Sequence, residues 1–400
     1  MLKSIKQSVW SLILLALLPA GLSAQRFLYT NNDVVPNSIS AYAIGTNGAL
    51  NEIAGSPFAT GGDGRGANPG FYSANRIIIV NNFLYASNSG TNTISAFSID
   101  PASGNLVLVA GSPFSTGAFN DPTQSGISLA ATPDGKFLYA GSTGYDAQFN
   151  PAPITIFTID PTTGALAPTN KSTVPAGGAM SSMKVSPDGN YLLAAIPGSN
   201  AISVFAIRGP GMLHAIHNSP YALSSEAATS IDINCSSNLV FAGGTGGDIY
   251  AFNFASGALS PVSGSPFATG LAGNRVVTLS TTDSTLYSSN QSGSTVTAFA
   301  VGSNGVLAIP GTSVNAAGGA TGVLPYPSGL AVSNDGQFLY AADLNSDASS
   351  PVHSGFSIFS LSGSSPLTFV SLNSTGLASG LQSLAAYPAK ACTGLAAPKK

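Results

Sequence analysis

The sequence predicts an all-β protein, a seven-bladed β-propeller with four-stranded blades, and three observations support this fold. A short motif, Phe-Leu-Tyr-Ala or a close variant, recurs seven times; a second motif with an aromatic fourth position follows each copy; and turn residues separate the motifs. Successive copies of the first motif lie 46 to 56 residues apart. Units of this length that hold about four strands are typical of propeller blades.

The first motif predicts the second strand of each blade. Its period of two indicates strands with two distinct faces. Asp-Gly pairs at 134–135, 188–189 and 335–336 predict hairpin turns just before the motif. The copies begin at Phe27, Phe83, Phe137, Tyr191, Leu239, Thr285 and Phe338.

The second motif predicts the third strand, and a fourth strand follows it, ending in Gly-Ser-Pro-Phe segments at 55, 111 and 264. One such sheet cannot bury both of its faces, so neighbouring blades must cover it and supply the core. The aromatic fourth positions of the motif are Tyr42, Phe97, Phe157, Phe205, Phe252, Phe299 and Phe359.

The C-terminus predicts how the ring closes. Ser383-Leu384-Ala385-Ala386-Tyr387-Pro388 nearly copies the predicted inner strand of blade 3, Ser128-Leu129-Ala130-Ala131-Thr132-Pro133. We therefore expect segment 381–390 to be the inner strand of blade 1 and to pair with the strand at Phe27. Residues 25–400 then form a single propeller domain that has no open sheet edge.

The first 24 residues have the three parts of a secretory signal peptide. Lys3 and Lys6 precede an apolar run from Val9 to Leu18, and small residues up to Ala24 follow. The run is too short to span a bilayer, and we expect no membrane span after cleavage. The mature protein is predicted to be secreted or periplasmic.

Charge excludes one class of partner. Two of the 13 Lys and Arg residues lie in the signal segment, so the mature chain carries 11 basic against 16 acidic residues, a net charge of −5. No basic patch is present, so nucleic acid is not an expected partner.

The two cysteines are predicted to be free thiols. Cys235 replaces the proline of a turn in blade 5, and Cys392 lies beyond the inner strand of blade 1. These blades are three steps apart in the ring, whereas a disulfide needs α-carbons within about 7 Å. Export would permit a disulfide if the C-terminal tail crossed the face of the ring.

Several phrases resemble the lactonase-like propellers, the 6-phosphogluconolactonase type and the related YVTN-repeat proteins. They are Phe27–Asn31, Ser186-Pro187-Asp188-Gly189, and the run from Ile94 through Asp100-Pro101 to Gly104. The resemblance covers essentially the whole mature chain. It implies the propeller fold and an activity on sugar lactones or related ring compounds without an obligatory metal.

The resemblance also implies a site of His, Arg and Glu, with an inner-strand signature that commonly reads Pro-Arg-His. The matching positions here are Met180-Ser181-Ser182 in blade 4, Pro327-Ser328-Gly329 in blade 7, and Ser128 at the histidine position of blade 3. Because none of these strands has the histidine, no catalytic residue is carried over from the family.

Inner strands line the channel of a propeller, and two of them carry charged residues at the same position, Lys184 in blade 4 and Asp232 in blade 5. A lysine beside a carboxylate could hold an anionic ligand or polarise a carbonyl, or it could form a structural ion pair. A lactonase also needs a base to activate water, and Asp232 or His353 could serve. Lys184, Asp232 and His353 are therefore the catalytic candidates.

Loops entering the inner strands and loops between second and third strands share one face, here called the ligand face. Charged and aromatic residues concentrate there, although aspartate also suits loops for structural reasons. The loop starting at Asp343 has the first acidic positions of a calcium loop but lacks its glycine and final glutamate, so no metal site is predicted. The ligand-face candidates are Asp33, Asp63, Arg65, Asp121, Tyr145, Asp146, Asp248, Tyr326, Asp343 and Asp347.

Two functions follow from these features. The first is an exported ligand-binding or interaction module that binds a small molecule or a protein on the acidic ligand face. The alternative is a sugar-lactone hydrolase with a rearranged active site. We expect a monomer, and no cofactor signature is present.

Overall fold

The structure, a computed structural model, describes residues 25–66, 74–117, 126–142, 154–169, 178–271, 273–319, 327–343, 354–377 and 383–392. These residues form seven antiparallel sheets arranged as the blades of a propeller, and the predicted fold is confirmed. The predicted signal segment, residues 1–24, lies outside the described residues.

Each blade contains four main strands in chain order from the channel outwards, except that the last strand of the chain is the inner strand of blade 1. Blade 1 contains β1 (Phe27–Asn31), β2 (Ser38–Ile44), β3 (Leu50–Glu52) and β4 (Phe58–Ala59). Blade 2 contains β5 (Ile77–Val80), β6 (Phe83–Asn88), β7 (Thr93–Ile99), β8 (Leu106–Leu108) and β9 (Phe114–Ser115). Blade 3 contains β10 (Ile127–Ala131), β11 (Phe137–Ser142), β12 (Thr155–Ile159) and β13 (Leu166–Pro168). Blades 4 and 5 contain β14 (Ser182–Val185), β15 (Tyr191–Ile196), β16 (Ala201–Arg208), β17 (Met212–Ala215) and β18 (Tyr221–Ala222); β19 (Ala228–Ile233), β20 (Leu239–Gly244), β21 (Asp248–Ala255), β22 (Ala258–Pro261) and β23 (Phe267–Ala268). Blades 6 and 7 contain β24 (Asn274–Leu279), β25 (Thr285–Asn290), β26 (Thr295–Ala300) and β27 (Thr312–Asn315); β28 (Pro327–Val332), β29 (Phe338–Asp343), β30 (Ser354–Ser360) and β31 (Thr368–Leu377), and the last strand is β32 (Ser383–Tyr387). Short 3₁₀ turns cover Pro197–Ser199 and Ala316–Gly319.

Four blades carry one further short strand. The segments at β4, β9, β18 and β23 fold back and pair with the third strand of their own blade. In blade 1, for example, Phe58 lies opposite Ile39, and in blade 5 Phe267 lies opposite Ile249. The Ser-Pro-Phe segments therefore form a fifth, two-residue strand rather than the end of the fourth.

The ring closes as predicted. β32 pairs antiparallel with β1 over five residue pairs, from Phe27 opposite Tyr387 to Asn31 opposite Ser383. Both long edges of β1 are thereby occupied, because β2 pairs with its other side.

The Phe-Leu-Tyr motif joins four of the blades, 1, 2, 3 and 7, to the next blade in the ring. The hydroxyl of Tyr29 donates to the carbonyl oxygen of Gly104, 2.8 Å away in the outer turn of blade 2. At this glycine, whose φ is +74°, an added Cβ would meet the ring of Phe27 at 2.5 Å, so no side chain fits. The same tyrosine–glycine bond recurs for Tyr85 with Gly164, Tyr139 with Gly211, and Tyr340 with Gly48.

The apolar core is divided around the ring. The buried side chains of the described residues form seven clusters, and each cluster lies between two adjacent blades. The cluster between blades 7 and 1, for instance, joins Phe356 and Tyr340 to Leu28 and Leu384. Each sheet is therefore covered by its neighbours, as the repeat requires.

The prediction of two free thiols is wrong. Cys235 and Cys392 form a disulfide, with their α-carbons 5.1 Å apart. The residues after β32 leave blade 1 and run to the turns at the inner ends of blades 6 and 5, where Lys390 and Cys392 are held. Blades 1 and 5 are three steps apart in the ring, as expected, but the C-terminal tail spans that distance.

Candidate functional site

The two charged residues predicted to line the channel do meet. Lys184 and Asp232 occupy the same register position on β14 and β19, opposite Leu193 and Phe241 respectively. The Nζ atom of Lys184 lies 3.0 Å from Oδ1 of Asp232, and their side chains are 43% and 9% exposed. The pair thus has a buried carboxylate and an ammonium group that remains half open to solvent.

Both oxygens of Asp232 are already engaged. Oδ2 accepts a hydrogen bond of 2.8 Å from the Leu279 N–H and a longer one from Thr278 Oγ1, while Oδ1 accepts from the Ile233 N–H and from Lys184. Burial raises the pKa of this carboxyl, but the charges of Lys184 and Lys390 and the Leu279 N–H outweigh burial and hold the pKa below its usual value. A carboxylate of this kind is a weak general base at neutral pH.

Asp33 on the ligand face is buried in an ion pair that the sequence reasoning missed. Its Oδ1 contacts Nη2 of Arg76, whose side chain is 1% exposed, and accepts a hydrogen bond of 3.1 Å from the Arg65 N–H. Arg76 Nη2 also donates to Ser89 Oγ at 3.0 Å. The sequence signal for this pair was Arg76 itself, which lies just before the inner strand of blade 2 at a position where blades 3, 4 and 5 have serine.

Glu226 is a second residue that the sequence reasoning missed. Its Oε2 accepts hydrogen bonds from the N–H groups of Gly246 at 2.8 Å and Asp248 at 3.2 Å. The hydroxyl of Tyr250 accepts from the Glu226 N–H, and Asp248 Oδ2 accepts from Ser225 Oγ. Glu226, which lies just before β19, and the candidate Asp248, at the start of β21, therefore tie two ligand-face loops of blade 5 together.

Asp343 is the ligand-face candidate whose environment is most unusual. The residue is 4% exposed, and its Oδ2 accepts a hydrogen bond of 2.6 Å from the Ser357 hydroxyl. Its Oδ1 is buried and has no hydrogen-bond partner among the described residues. Burial raises the pKa of this carboxyl to about 7, against a smaller lowering by the bonds from Ser357.

The other candidates divide into two groups. Asp63 and Arg65 lie half-buried in the loop before blade 2, where the Gly90 N–H donates to the Asp63 carbonyl oxygen at 2.8 Å. The remaining candidates lie outside the described residues: Asp121, Tyr145, Asp146, Tyr326, Asp347 and His353.

Within the described ranges, no group of three His, Cys, Asp or Glu side chains is placed to hold a metal ion. No helix of these ranges is both long and apolar enough to cross a bilayer.

A family model, "Lactonase, 7-bladed beta-propeller", matches residues 22–180 and 123–379, which together cover most of the chain. The chain belongs to this lactonase propeller family. No curated protein matches it.

Solved structures of similar propellers agree with this family assignment. A putative 6-phosphogluconolactonase from Bacteroides fragilis superposes with a TM-score of 0.68 at 19% identity, covering 92% of this chain and 99% of that one. The periplasmic gluconolactonase of Pseudomonas aeruginosa gives 0.67 at 17% identity, covering 91% and 98%. A putative 6-phosphogluconolactonase from Bacteroides uniformis gives 0.65 at 17% identity, covering 87% and 95%. At these identities the likeness extends to the fold and not to the chemistry.

In this lactonase propeller, the inner-strand position where the resemblance implies histidine has a structural use. Ser128 Oγ accepts a hydrogen bond of 3.0 Å from the Met183 N–H of the next inner strand. The same link recurs from Ser182 to Ile231, from Ser230 to Val277, and from Ser383 to Arg76. These hydroxyl oxygens cross-link neighbouring inner strands, so this position has a structural role in the chain.

Proposed function

We propose that this lactonase-family propeller is an exported, monomeric ligand-binding module that holds a small oxygen-rich ligand in its channel through Lys184. The observation that carries the proposal is the geometry of the Lys184–Asp232 pair. Asp232 is buried and committed on both oxygens, so it orients Lys184 but is a weak base. The half-exposed ammonium group is the part of the pair that can meet a ligand.

The chemistry of an ammonium group selects the ligand class. Lysine offers three hydrogen-bond donors and a compact positive charge, which suit a carboxylate, a phosphate or a polarised carbonyl oxygen. A sugar lactone and the aldonate formed by its hydrolysis both present such oxygens. The structural neighbours, two putative 6-phosphogluconolactonases and a periplasmic gluconolactonase, support this class.

A second candidate function is hydrolysis of a sugar lactone, favoured by membership in the lactonase family. Hydrolysis requires a base with a pKa near the working pH. Asp343 has a pKa of about 7 and lies on the ligand face, so it is the described carboxyl best matched to that task. Its burial weighs against direct contact with substrate.

The two functions are separated by measuring binding and turnover on the same mature protein. We would titrate it with sugar lactones and aldonates, with and without a 6-phosphate, by calorimetry, and follow lactone hydrolysis in a pH-stat. Lys184→Met removes the charge and keeps the chain length. Lys136→Met is the matched control, because Lys136 is exposed and pairs with Asp134 in a turn on the opposite face.

Binding that weakens at least tenfold in Lys184→Met and is unchanged in Lys136→Met supports the binding module. Lactone turnover above the spontaneous rate that is lost in Asp343→Asn would favour the hydrolase over the binding module. Absence of binding to every compound in the panel rejects the proposed channel ligand.

A further inference from the structure

The segment after the closing strand is held at two points by other blades. We call residues 388–392 the C-terminal strap. Cys392 is bonded to Cys235 in the turn that follows the inner strand of blade 5. Lys390 Nζ donates to the Ser280 carbonyl oxygen at 2.8 Å and lies 2.6 Å from Asp283 Oδ1, both in the corresponding turn of blade 6.

The residues that hold the strap depart from the repeat. Blades 3 and 4 have proline where blade 5 has Cys235. Blades 3, 4 and 7 have a glycine with positive φ where blade 6 has Asp283, whose φ is +60°. Aspartate is an uncommon choice in this conformation, and here its Oδ1 meets Lys390 while its Oδ2 accepts from the Cys235 N–H at 2.7 Å.

The disulfide is not needed to make the ring continuous. Five residue pairs between β1 and β32 already join the ends of the chain. Cys392 lies five residues after Tyr387, the last paired residue of β32, so the disulfide holds the strap and not the β1–β32 pairing. A cross-link that served only to close blade 1 would have its partner in a strand next to β32.

The strap lies at the end of the channel opposite the ligand face. The turns between first and second strands surround that end, and the strap joins the inner strand of blade 1 to two of them. Asp232 precedes Cys235 by three residues, and the charge of Lys390 contributes to the lowered pKa of Asp232. The strap therefore lies over the channel end that contains the Lys184–Asp232 pair.

We propose that the C-terminal strap is a redox-operated latch on this mouth of the channel. The disulfide keeps the mouth partly closed, with Lys184 behind it still 43% exposed, and a dithiol reductant opens it fully. The sulfur–sulfur bond breaks, Cys235 and Cys392 each gain one electron and one proton, and the reductant's two thiols become a disulfide. Both cysteines are partly exposed, so a thiolate can reach them.

The contacts that remain after reduction are few. Lys390 keeps one ion pair and one carbonyl bond, and its side chain is 29% exposed while that of Asp283 is 18% exposed. Ion pairs open to solvent hold long side chains weakly. The reduced strap is therefore expected to leave the turns of blades 5 and 6 while the ring stays folded.

Trypsin cleavage after Lys390 tests the latch on the full mature protein. We expect the Lys390–Ala391 bond to resist trypsin in the oxidised protein and to be cut at least tenfold faster after tris(carboxyethyl)phosphine treatment, with an unchanged circular dichroism spectrum. Cys392→Ser should be cut at the reduced rate in either condition. Asp283→Asn, which keeps the disulfide, should stay protected until reductant is added.

A second measurement tests whether the strap closes the mouth. Lys184 is labelled with an acetylating reagent and followed by mass spectrometry, with exposed Lys136 as the internal reference. Opening should raise the Lys184 rate at least threefold and leave Lys136 unchanged. Equal trypsin rates before and after reduction overturn the latch, and an unchanged Lys184 rate overturns closure of the mouth.

Discussion

Asp343 Oδ2 receives a 2.6 Å hydrogen bond from Ser357 Oγ, and this hydroxyl in turn accepts the N–H of Ala317 from the preceding blade. In blade 6 the equivalent residue is Asn290, whose Nδ2 donates to Thr295 Oγ1 and Thr297 Oγ1 and whose Oδ1 accepts from Ser288.

Blade 7 lacks two of those partners. Gly355 stands where blade 6 has Thr295, and Ala341 stands where it has Ser288. Among the described residues, the carboxyl of Asp343 therefore keeps Ser357 as its one partner residue, where Asn290 has three.

The stability of the protein should depend on pH through Asp343. Its pKa is raised from 3.8 to about 7, so the folded state binds the proton more tightly than the unfolded state does. The contribution of Asp343 to the free energy of unfolding is then largest below about pH 4 and falls as pH rises towards 7, by roughly 4 kcal/mol for a shift of this size. Among the described residues, the strands on either side of Asp343, β28 and β30, and the turn Ala316–Gly319 contain no charged side chain to offset this.

Asp343→Asn should remove that dependence. The variant should equal the wild type near pH 4 and exceed its free energy of unfolding at pH 8, as measured by urea denaturation. Asp63→Asn, a half-buried residue of the same face, is the control and should keep the wild-type profile. Equal pH profiles for Asp343→Asn and wild type would show that Asp343 is ionised at a normal pKa.

Loss of the Cys235–Cys392 disulfide should destabilise the fold. The bond closes a loop of 157 residues, and removing such a restraint costs about 2–5 kcal/mol because the unfolded chain gains freedom. We expect Cys235→Ser/Cys392→Ser to lower the free energy of unfolding by this amount under oxidising conditions. The wild type in reductant should fall to the same value, and a difference between the two would point to strain introduced by the serines.

The buried Arg76–Asp33 pair should be far more sensitive than a surface pair. Removing one partner leaves an uncompensated buried charge, which typically costs about 3–5 kcal/mol. Arg76→Met should therefore lower the free energy of unfolding by about this amount, and Asp33→Asn on the same background should recover part of it. Lys136→Met breaks the exposed pair with Asp134 and should cost less than about 1 kcal/mol. A similar loss of unfolding free energy in Arg76→Met and Lys136→Met would contradict the expectation that burial makes the Arg76–Asp33 pair more sensitive.

Deleting residues 381–400 should prevent folding, because it removes β32 and with it the inner strand of blade 1. The edge of β1 would then be exposed and would favour aggregation. A chain that ends at Cys392 keeps β32 and the strap and should remain soluble. The check is the soluble fraction together with the melting temperature, and a soluble 381–400 deletion with an unchanged melting temperature would refute the closure.

The amino-acid sequence by itself determined the blade count, the strand order within each blade and the closure by β32. The reason is that these features repeat: the Phe-Leu-Tyr motif places a tyrosine hydroxyl and a phenylalanine ring against the turn glycine of the next blade, as Tyr29 and Phe27 do at Gly104. The shared position of Lys184 and Asp232 could be predicted for the same reason, because both lie in one repeated register.

Only the tertiary structure decided the features that break the repeat. Arg76 meets Asp33 because the loops of two adjacent blades fold onto each other, and Cys392 meets Cys235 because a five-residue strap reaches from blade 1 to blade 5. Among the described residues, Oδ1 of Asp343 has no partner because Ala341 and Gly355 lack the hydroxyl groups that blade 6 has at these positions. These are contacts between residues distant in sequence, and no local sequence pattern predicts that they lie close together in space.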